Sequence, residues 1–369
     1  MKNKTSIVVS MTAILLLSSI FSGCHTEDRM EDFVFQETTI VVRPNLVMYV
    51  TVDNRIVVWG TIESSNSEKY VISSPTVVPT ISDVFALSDS YIRGKQFIIK
   101  LDGTVWEMHL DNHSDGINFA FTKVDGIENC VKISSGTTHH LALLENGVVM
   151  AWGRNDYGQL GDGTRVSKEL PFVVDRLTNI VDIAAGAVNS MAVDVEGFLF
   201  FWGSDASSTP KKLKYSGSIR SIGENRFLIS DGEAFMRENR KLISVEDCLT
   251  NPTVYTDIKG DIVRITSSGR LAVLTSDGAV WQKGSFAIST GPLGTLVKET
   301  LNPATDLPKA VIIAGGILSC VAVAEDGSIW EWGYDVTGQI RYNSNDEFRA
   351  RCVINAEDIK GIEVKLPSL

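Results

Sequence analysis

A chain of 369 residues with 44% hydrophobic and 21% charged residues has the composition of a globular protein, which excludes a disordered chain and a polytopic membrane protein. Its formal charge of −11 opposes binding to nucleic acid or to an anionic bilayer surface. Length alone allows either two domains or one long all-β domain.

In chain order, the first segment is a targeting signal rather than part of the core. Lys2 and Lys4 give a basic start, Ser6 to Phe21 is an apolar run, and Ser22-Gly23-Cys24 follows. This segment resembles a bacterial lipobox, in which small residues precede a cysteine that is acylated and becomes the new N-terminus, although Phe21 stands where Leu is usual. Residues 1–23 are therefore expected to be a lipoprotein signal peptide and Cys24 the lipidation site. A cleaved signal with an incidental cysteine and an uncleaved anchor are the alternatives. A lipid on Cys24 holds a protein on a membrane without spanning it, here on the extracytoplasmic face of a bacterial membrane, the outer one where the host has two. Removal of residues 1–23 takes Lys2 and Lys4 away, so the net charge falls to −13. Residues 24–32, ending in the polar, acidic run His25 to Asp32, read as a solvated tether reaching roughly 35 Å at most.

Residues 33–369 read as one all-β domain built from a repeat. Asp-Gly or Asn-Gly turns followed by a strand, most with a tryptophan, recur seven times, at Asn54, Gly103, Gly147, Gly197, Gly232, Gly278 and Gly327, 35 to 50 residues apart. That period fits the four-stranded blade of a β-propeller. The turn pair supplies the φ > 0 residues of a tight hairpin, so each copy is expected to be the two middle strands of a blade. Upstream, Val131 to Gly136, Val181 to Gly186 and Val311 to Gly316 place an Ile (Ile133, Ile183, Ile313) 14 residues before the turn glycine. These β-branched runs that end in small residues read as inner strands crowded at a channel. Phe33 to Pro44 and Cys352 to Leu366 are expected to complete one blade together, a clasp that removes the free edges of the first and last blades. Seven blades is the expected number, with six or eight as alternatives, because the 35-residue interval is short for a complete blade.

Gly136-Thr-Thr-His139, Asn146-Gly147, Trp152-Gly153, Asn155, Gly158-Gln-Leu-Gly161 and Pro171 follow one another in a set order. On these residues the sequence resembles the regulator of chromosome condensation repeat family, seven-bladed β-propellers. The resemblance is strong in the middle of residues 45–355 and weak at the edges, where Asn54, Gly232 and Gly278 retain little beyond the turn and strand. It implies that His139 is a framework residue hydrogen-bonding within its blade. Strand alternation sends His140 to the opposite face.

Residues with chemical potential are few. Gly153-Arg-Asn-Asp-Tyr-Gly158 has the first spacing of a phosphate loop, but Gln159 and Leu160 stand where Lys and Ser/Thr are required. Asp111-Asn-His113-Ser-Asp115-Gly116 faintly resembles a Ca²⁺ loop and His109 with His113 a zinc pair, yet a solvated turn accounts for both. Beyond Cys24, the cysteines at 130, 248, 320 and 352 lack metal spacing, and their pairing is left open. Cys130 and Cys320 read as buried hydrophobes. The seven tryptophans recur with the repeat and read as core. No catalytic residue, metal or cofactor is expected.

What does not repeat is able to be specific. The connections Arg154 to Tyr157, Thr164 to Leu170, Asp205 to Lys214 and Tyr334 to Glu347 are expected to collect at one rim, with Arg154, Asn155, Tyr157, Tyr334 and Tyr342 as candidate partner-binding residues. The resulting expectation is a monomeric, membrane-anchored propeller that binds an unknown protein partner at the cell envelope and no nucleic acid. Members of the resembled family include nucleotide-exchange factors for a small GTPase and secreted inhibitors of β-lactamase, which act through protein contacts. The alternatives are an envelope glycan lyase or hydrolase with a site at the central channel, and a purely structural envelope protein.

Overall fold

The computed structural model describes residues 39–355 except 44–45, 64–68, 91–94, 114–115, 204–206, 213–218, 224–225, 230–233, 237–252, 255–261, 267–271, 284–300, 305, 316–318 and 334–349. The signal, Cys24, the tether, Cys248, Tyr334 and Tyr342 lie outside the described residues, which all belong to the unit Phe35–Leu369. Every regular element among them is a β-strand.

The strands fall into consecutive antiparallel sheets, each ordered as the chain runs. The first is β1 (Ile40–Arg43), β2 (Leu46–Val50), β3 (Ile56–Glu63) and β4 (Lys69–Val77). The second is β5 (Val84–Leu87), β7 (Gln96–Lys100), β8 (Val105–His113) and β9 (Gly116–Lys123), with a short β6 (Asp89–Ser90) leaving it. The third is β10 (Cys130–Ser135), β11 (His139–Leu144), β12 (Val149–Gly153) and β13 (Lys168–Val173), and β6 adds to it as a fifth strand, parallel to β10. The fourth is β14 (Ile180–Ala185), β15 (Asn189–Asp194), β16 (Leu199–Gly203) and β17 (Ser207–Lys212). Next come β18 (Ile219–Gly223), β19 (Arg226–Ile229), β20 (Ala234–Met236) and β21 (Thr253–Val254), then β22 (Ile262–Ile265), β23 (Ala272–Thr275), β24 (Val280–Lys283) and β25 (Leu301–Pro303). The last is β26 (Ala310–Gly315), β27 (Ser319–Ala324), β28 (Ile329–Gly333) and β29 (Arg351–Ile354). Six four-stranded sheets and one five-stranded sheet result, and the architecture is that of an all-β propeller with four-stranded blades.

Each repeat copy supplies the two middle strands of its sheet, as its turn chemistry demands. At Gly103 the demand is double. Its φ is +72°, and a Cβ there would lie 2.6 Å from the Cα of Asn129 in the connection to the next sheet. The turns are also rivets, a feature invisible in the repeat pattern. The carbonyls of Asn54, Gly103, Gly147 and Gly278 accept the N–H groups of Val84, Cys130, Ile180 and Ala310, the opening residues of the following inner strands.

The core lies between sheets. One apolar cluster joins Leu141, Leu143 and Ala151 of the third sheet to Ile183, Ala192 and Trp202 of the fourth. Equivalent clusters join the second sheet to the third, the first to the second, and the last to its predecessor. Ring closure differs from the expected clasp. β1 pairs with β2 and β29 with β28, so the two ends of the chain complete different sheets. The first and last sheets meet instead through a dry cluster of Ile40, Val42, Tyr49 and Trp59 with Ile312, Val321 and Ile329. Side-chain burial rather than strand exchange closes that seam.

A further regularity is a β-bulge at the start of the inner strand. Six sheets shift register there, between Val84 and Ala86, Cys130 and Lys132, Ile180 and Asp182, Ile219 and Ser221, Ile262 and Arg264, and Ala310 and Ile312. A bulge adds local twist and re-aims side chains. The residue after the bulge turns toward the next sheet: Ile312 enters the seam with the first sheet, and Ala86 the seam with the third.

Candidate functional site

The candidate site grows from the connection between β12 and β13, which runs from strand to strand with no intervening helix. Gly158 to Gly163 cross the edge of the fourth sheet, where the amide of Gly163 donates to the carbonyl of Ser208. Leu160 is fully buried in the seam between the third and fourth sheets. Two donors of the fourth sheet, the Ser190 hydroxyl and the Trp202 indole N–H, both donate to the Gln159 carbonyl at 2.8 Å. Gly161, with φ +80°, is required there, because a Cβ would stand 2.9 Å from the indole nitrogen of Trp202. Each glycine of this stretch serves backbone geometry.

Asn155 organises the loop from within. It is 0% exposed, and its Nδ2 donates to Asp162 Oδ1 and to the carbonyls of Thr164 and Val166, while its Oδ1 accepts from the Leu160 amide. Its expected place at a partner surface is thereby corrected: the side chain is buried and spends its polar atoms on the loop's own backbone and on Asp162. Asp162 belongs to the same network. Burial opposes its ionisation, but the Lys168 ammonium 2.8 Å away, the Thr164 amide and hydroxyl and the Asn155 amide hold its carboxyl at about 2.

The outward side of the loop carries Arg154 and Asp156 in a mutual ion pair, Tyr157 at 41% exposure and Val166 at 66%. Arg165 is also exposed. The Tyr157 amide donates to Gln159 Oε1, so the exposed phenol rides on a fixed backbone. Arg154 and Tyr157 thus stand together on a rigid loop as read from the sequence. Of the other connections, Thr164 to Leu170 is partly the outer strand β13, and Asp205 to Lys214 contains the outer strand β17, since Ser207–Lys212 pairs with β16. Tyr334 to Glu347 lies outside the described residues.

The two histidines divide as strand alternation requires, with one correction. His139 Nε2 lies 2.9 Å from Ser190 Oγ, so its bond reaches the neighbouring sheet rather than staying within its own. Because the Ser190 hydroxyl gives its proton to the Gln159 carbonyl, it accepts from His139, which fixes the N–H on Nε2. Both residues are 0% exposed, so this Ser–His pair is a structural stitch and no substrate reaches it. Burial lowers the His139 imidazole to about 4. His140, on the other face, sits between Phe97 and Trp152, at centroid separations of 4.7 and 5.3 Å; burial first, then the nearby His139 and Lys95, bring it to about 3.

The tryptophans separate into two positions, five residues and three residues after the turn residue. Trp59, Trp152, Trp202 and Trp332 are buried in the seams, whereas Trp106, Trp281 and Trp330 are half-buried. Cys130 and Cys320 are buried, and burial pushes the Cys130 thiol up to about 12. Asp111 to His113 lie on β8, paired through His113 to Gly116, so the acidic run is the end of a long hairpin.

Two models of the regulator of chromosome condensation (RCC1) repeat match residues 146–193 and 130–159. The chain is 28% identical over 250 residues to the E3 ubiquitin-protein ligase HERC2 of Homo sapiens, covering 57% of this chain and 5% of that protein. It is 25% identical over 246 residues to the ultraviolet-B receptor UVR8 of Arabidopsis thaliana, covering 58% and 56%. The chain thus spans a small part of HERC2 and about half of UVR8. Among solved structures, human WBSCR16 matches with a TM-score of 0.61 at 18% identity, over 82% of this chain and 94% of that one. The fold is that of an all-β propeller with four-stranded blades, and the residues that the RCC1-repeat models match lie in the third and fourth sheets, where the candidate loop is built.

Proposed function

We propose that this chain is a seven-bladed RCC1-type propeller, lipid-anchored through Cys24 on the extracytoplasmic face of a bacterial membrane, that binds a protein partner through the Arg154–Val166 loop and catalyses no reaction itself. Seven blades is supported by the six four-stranded sheets together with β10–β13. The observation that carries the binding reading is the contrast within one loop. Asn155, Gln159 and Leu160 are fully buried to hold it, while Tyr157, Val166 and the Arg154–Asp156 pair face solvent. Tyrosine offers a large, rigid contact area at low entropy cost, and aromatic and arginine side chains dominate interface energetics. The enzyme name of HERC2 belongs to a protein of which this chain covers 5%.

The test has two arms. Metabolic labelling with palmitate labels the wild-type chain and leaves Cys24→Ser unlabelled; equal labelling of both removes the anchor from the reading. Binding of the partner captured by the wild type falls at least tenfold in Arg154→Ala/Tyr157→Ala, about 1.4 kcal/mol or more, and is unchanged in Glu145→Ala on a hairpin turn. Equal loss in the two variants, or in neither, removes the loop.

A further inference from the structure

The outer strands repeat a device of their own. In the first, third and fourth sheets three outer-strand residues stand opposite one tryptophan, and the last of the three is proline: Ser73-Ser74-Pro75 opposite Trp59, Glu169-Leu170-Pro171 opposite Trp152, and Ser208-Thr209-Pro210 opposite Trp202. The extra residues bow the strand away from its partner. In the fourth sheet the bow is covered by the Gly158–Gly163 stretch of the preceding sheet. The Gly163 amide donates to the Ser208 carbonyl at 2.8 Å, a Cβ on Gly158 would stand 2.7 Å from the Ser208 Cα, and one on Gly163 would stand 3.6 Å from the Thr209 methyl. Thr209 is accordingly half-buried.

The bow of the third sheet has no such cover among the described residues. At the corresponding place the second sheet carries a plain hairpin, in which β8 and β9 pair without a register shift as far as His113 and Gly116. Leu170, in the position of Thr209, is 71% exposed, the greatest exposure of any large hydrophobic residue described, and Val173 on the same strand is 52% exposed. A lone exposed leucine is ordinary. This one stands where the next sheet receives a loop. The approach of that loop to Ser208 demands glycine, and Glu169 holds the place of Ser208 in the third sheet. Pro171 lacks an N–H, which disfavours the addition of a further strand and favours a loop. The charges at the bow are one-sided. Lys168 is committed to Asp162 at 2.8 Å and to the face of Phe172 at 3.7 Å, whereas exposed Glu169 has no ion pair among the described residues. We infer that Glu169-Leu170-Pro171 seats a glycine-containing loop of a protein partner, which brings an apolar side chain to Leu170 and a lysine or arginine to Glu169. The seat adjoins the Arg154–Val166 loop and rests on the reading that this sheet carries the protein interface.

The test places a photoreactive apolar residue at position 170 of the full-length chain in intact cells and identifies the crosslinked peptide by mass spectrometry. The expected product is a peptide of another protein in which glycine and a lysine or arginine lie beside an apolar residue. Glu169→Lys lowers its yield about tenfold, whereas Lys211→Glu, on the covered outer strand of the fourth sheet, leaves it unchanged. The same photoreactive residue at position 157 separates the two readings. A product from position 157 with none from position 170 overturns the seat and leaves the loop reading standing, and no product from either position overturns both. A peptide from a second copy of this chain, an acidic peptide, or a yield that Glu169→Lys does not change also overturns the seat.

Discussion

At the scale of single residues, Asn155 shows how a surface-loop motif works from the inside. Its fully buried amide ties three backbone groups and one carboxylate oxygen of the loop together, and leaves none of its own polar atoms unpaired. Asn155→Ala is therefore expected to destabilise the fold by roughly 3 kcal/mol, seen as a lower urea midpoint, and to free the loop to proteolysis between Gly153 and Lys168. Replacement of exposed Tyr157 with Ala is expected to leave the midpoint within about 0.5 kcal/mol. The sequence placed both residues in the right loop and assigned them the same role. Burial separates them, and polar residues two apart in a Gly-rich connection outside any regular strand carry no period from which burial is read.

At the scale of elements, β11 holds two imidazoles whose neutral forms are built into the seams. The unfolded chain has ordinary histidines near 6.5, whereas the fold holds His139 at about 4 and His140 at about 3. Between those limits the unfolded state binds more protons, so stability is complete above pH 6.5 and falls as the pH drops toward 4. The slope reaches about 1.4 kcal/mol per pH unit for each histidine. Urea midpoints at pH 7.5, 6 and 5 are expected to decline in that order, and His140→Phe, which suits the Phe97–Trp152 setting, to reduce the slope by about half. Asp162, held at about 2, adds its own loss only below about pH 4, where the His140 window, which runs down to about 3, is still open. Strand alternation made the opposite faces of His139 and His140 legible. The partner of His139 was not, because a bond to Ser190, 51 positions away, leaves no local trace.

At the scale of the molecule, the repeat was legible because the same local conformational requirement, a turn residue with positive φ, recurs at six of the described turns, and a period is visible even where residues differ. Closure was not. The segments Ile40–Arg43 and Arg351–Ile354 each look like an orphan strand, and composition does not say whether two such strands share a sheet or complete two. The answer lies in the fit of Trp59 and Tyr49 against Ile312 and Val321, a matter of complementary shape across the whole chain. A ring closed in this way is a stiff frame, and it gives the Arg154–Val166 loop, pinned to the fourth sheet through Gln159 and Leu160, a fixed direction. The most direct test of that display is site-specific photo-crosslinking in intact cells, with the photoreactive residue in place of Tyr157 in one chain and of Asp102, on a hairpin turn, in another. A discrete crosslinked protein from position 157 and none from position 102 is the predicted result; the same products from both positions, or none from position 157, would contradict it.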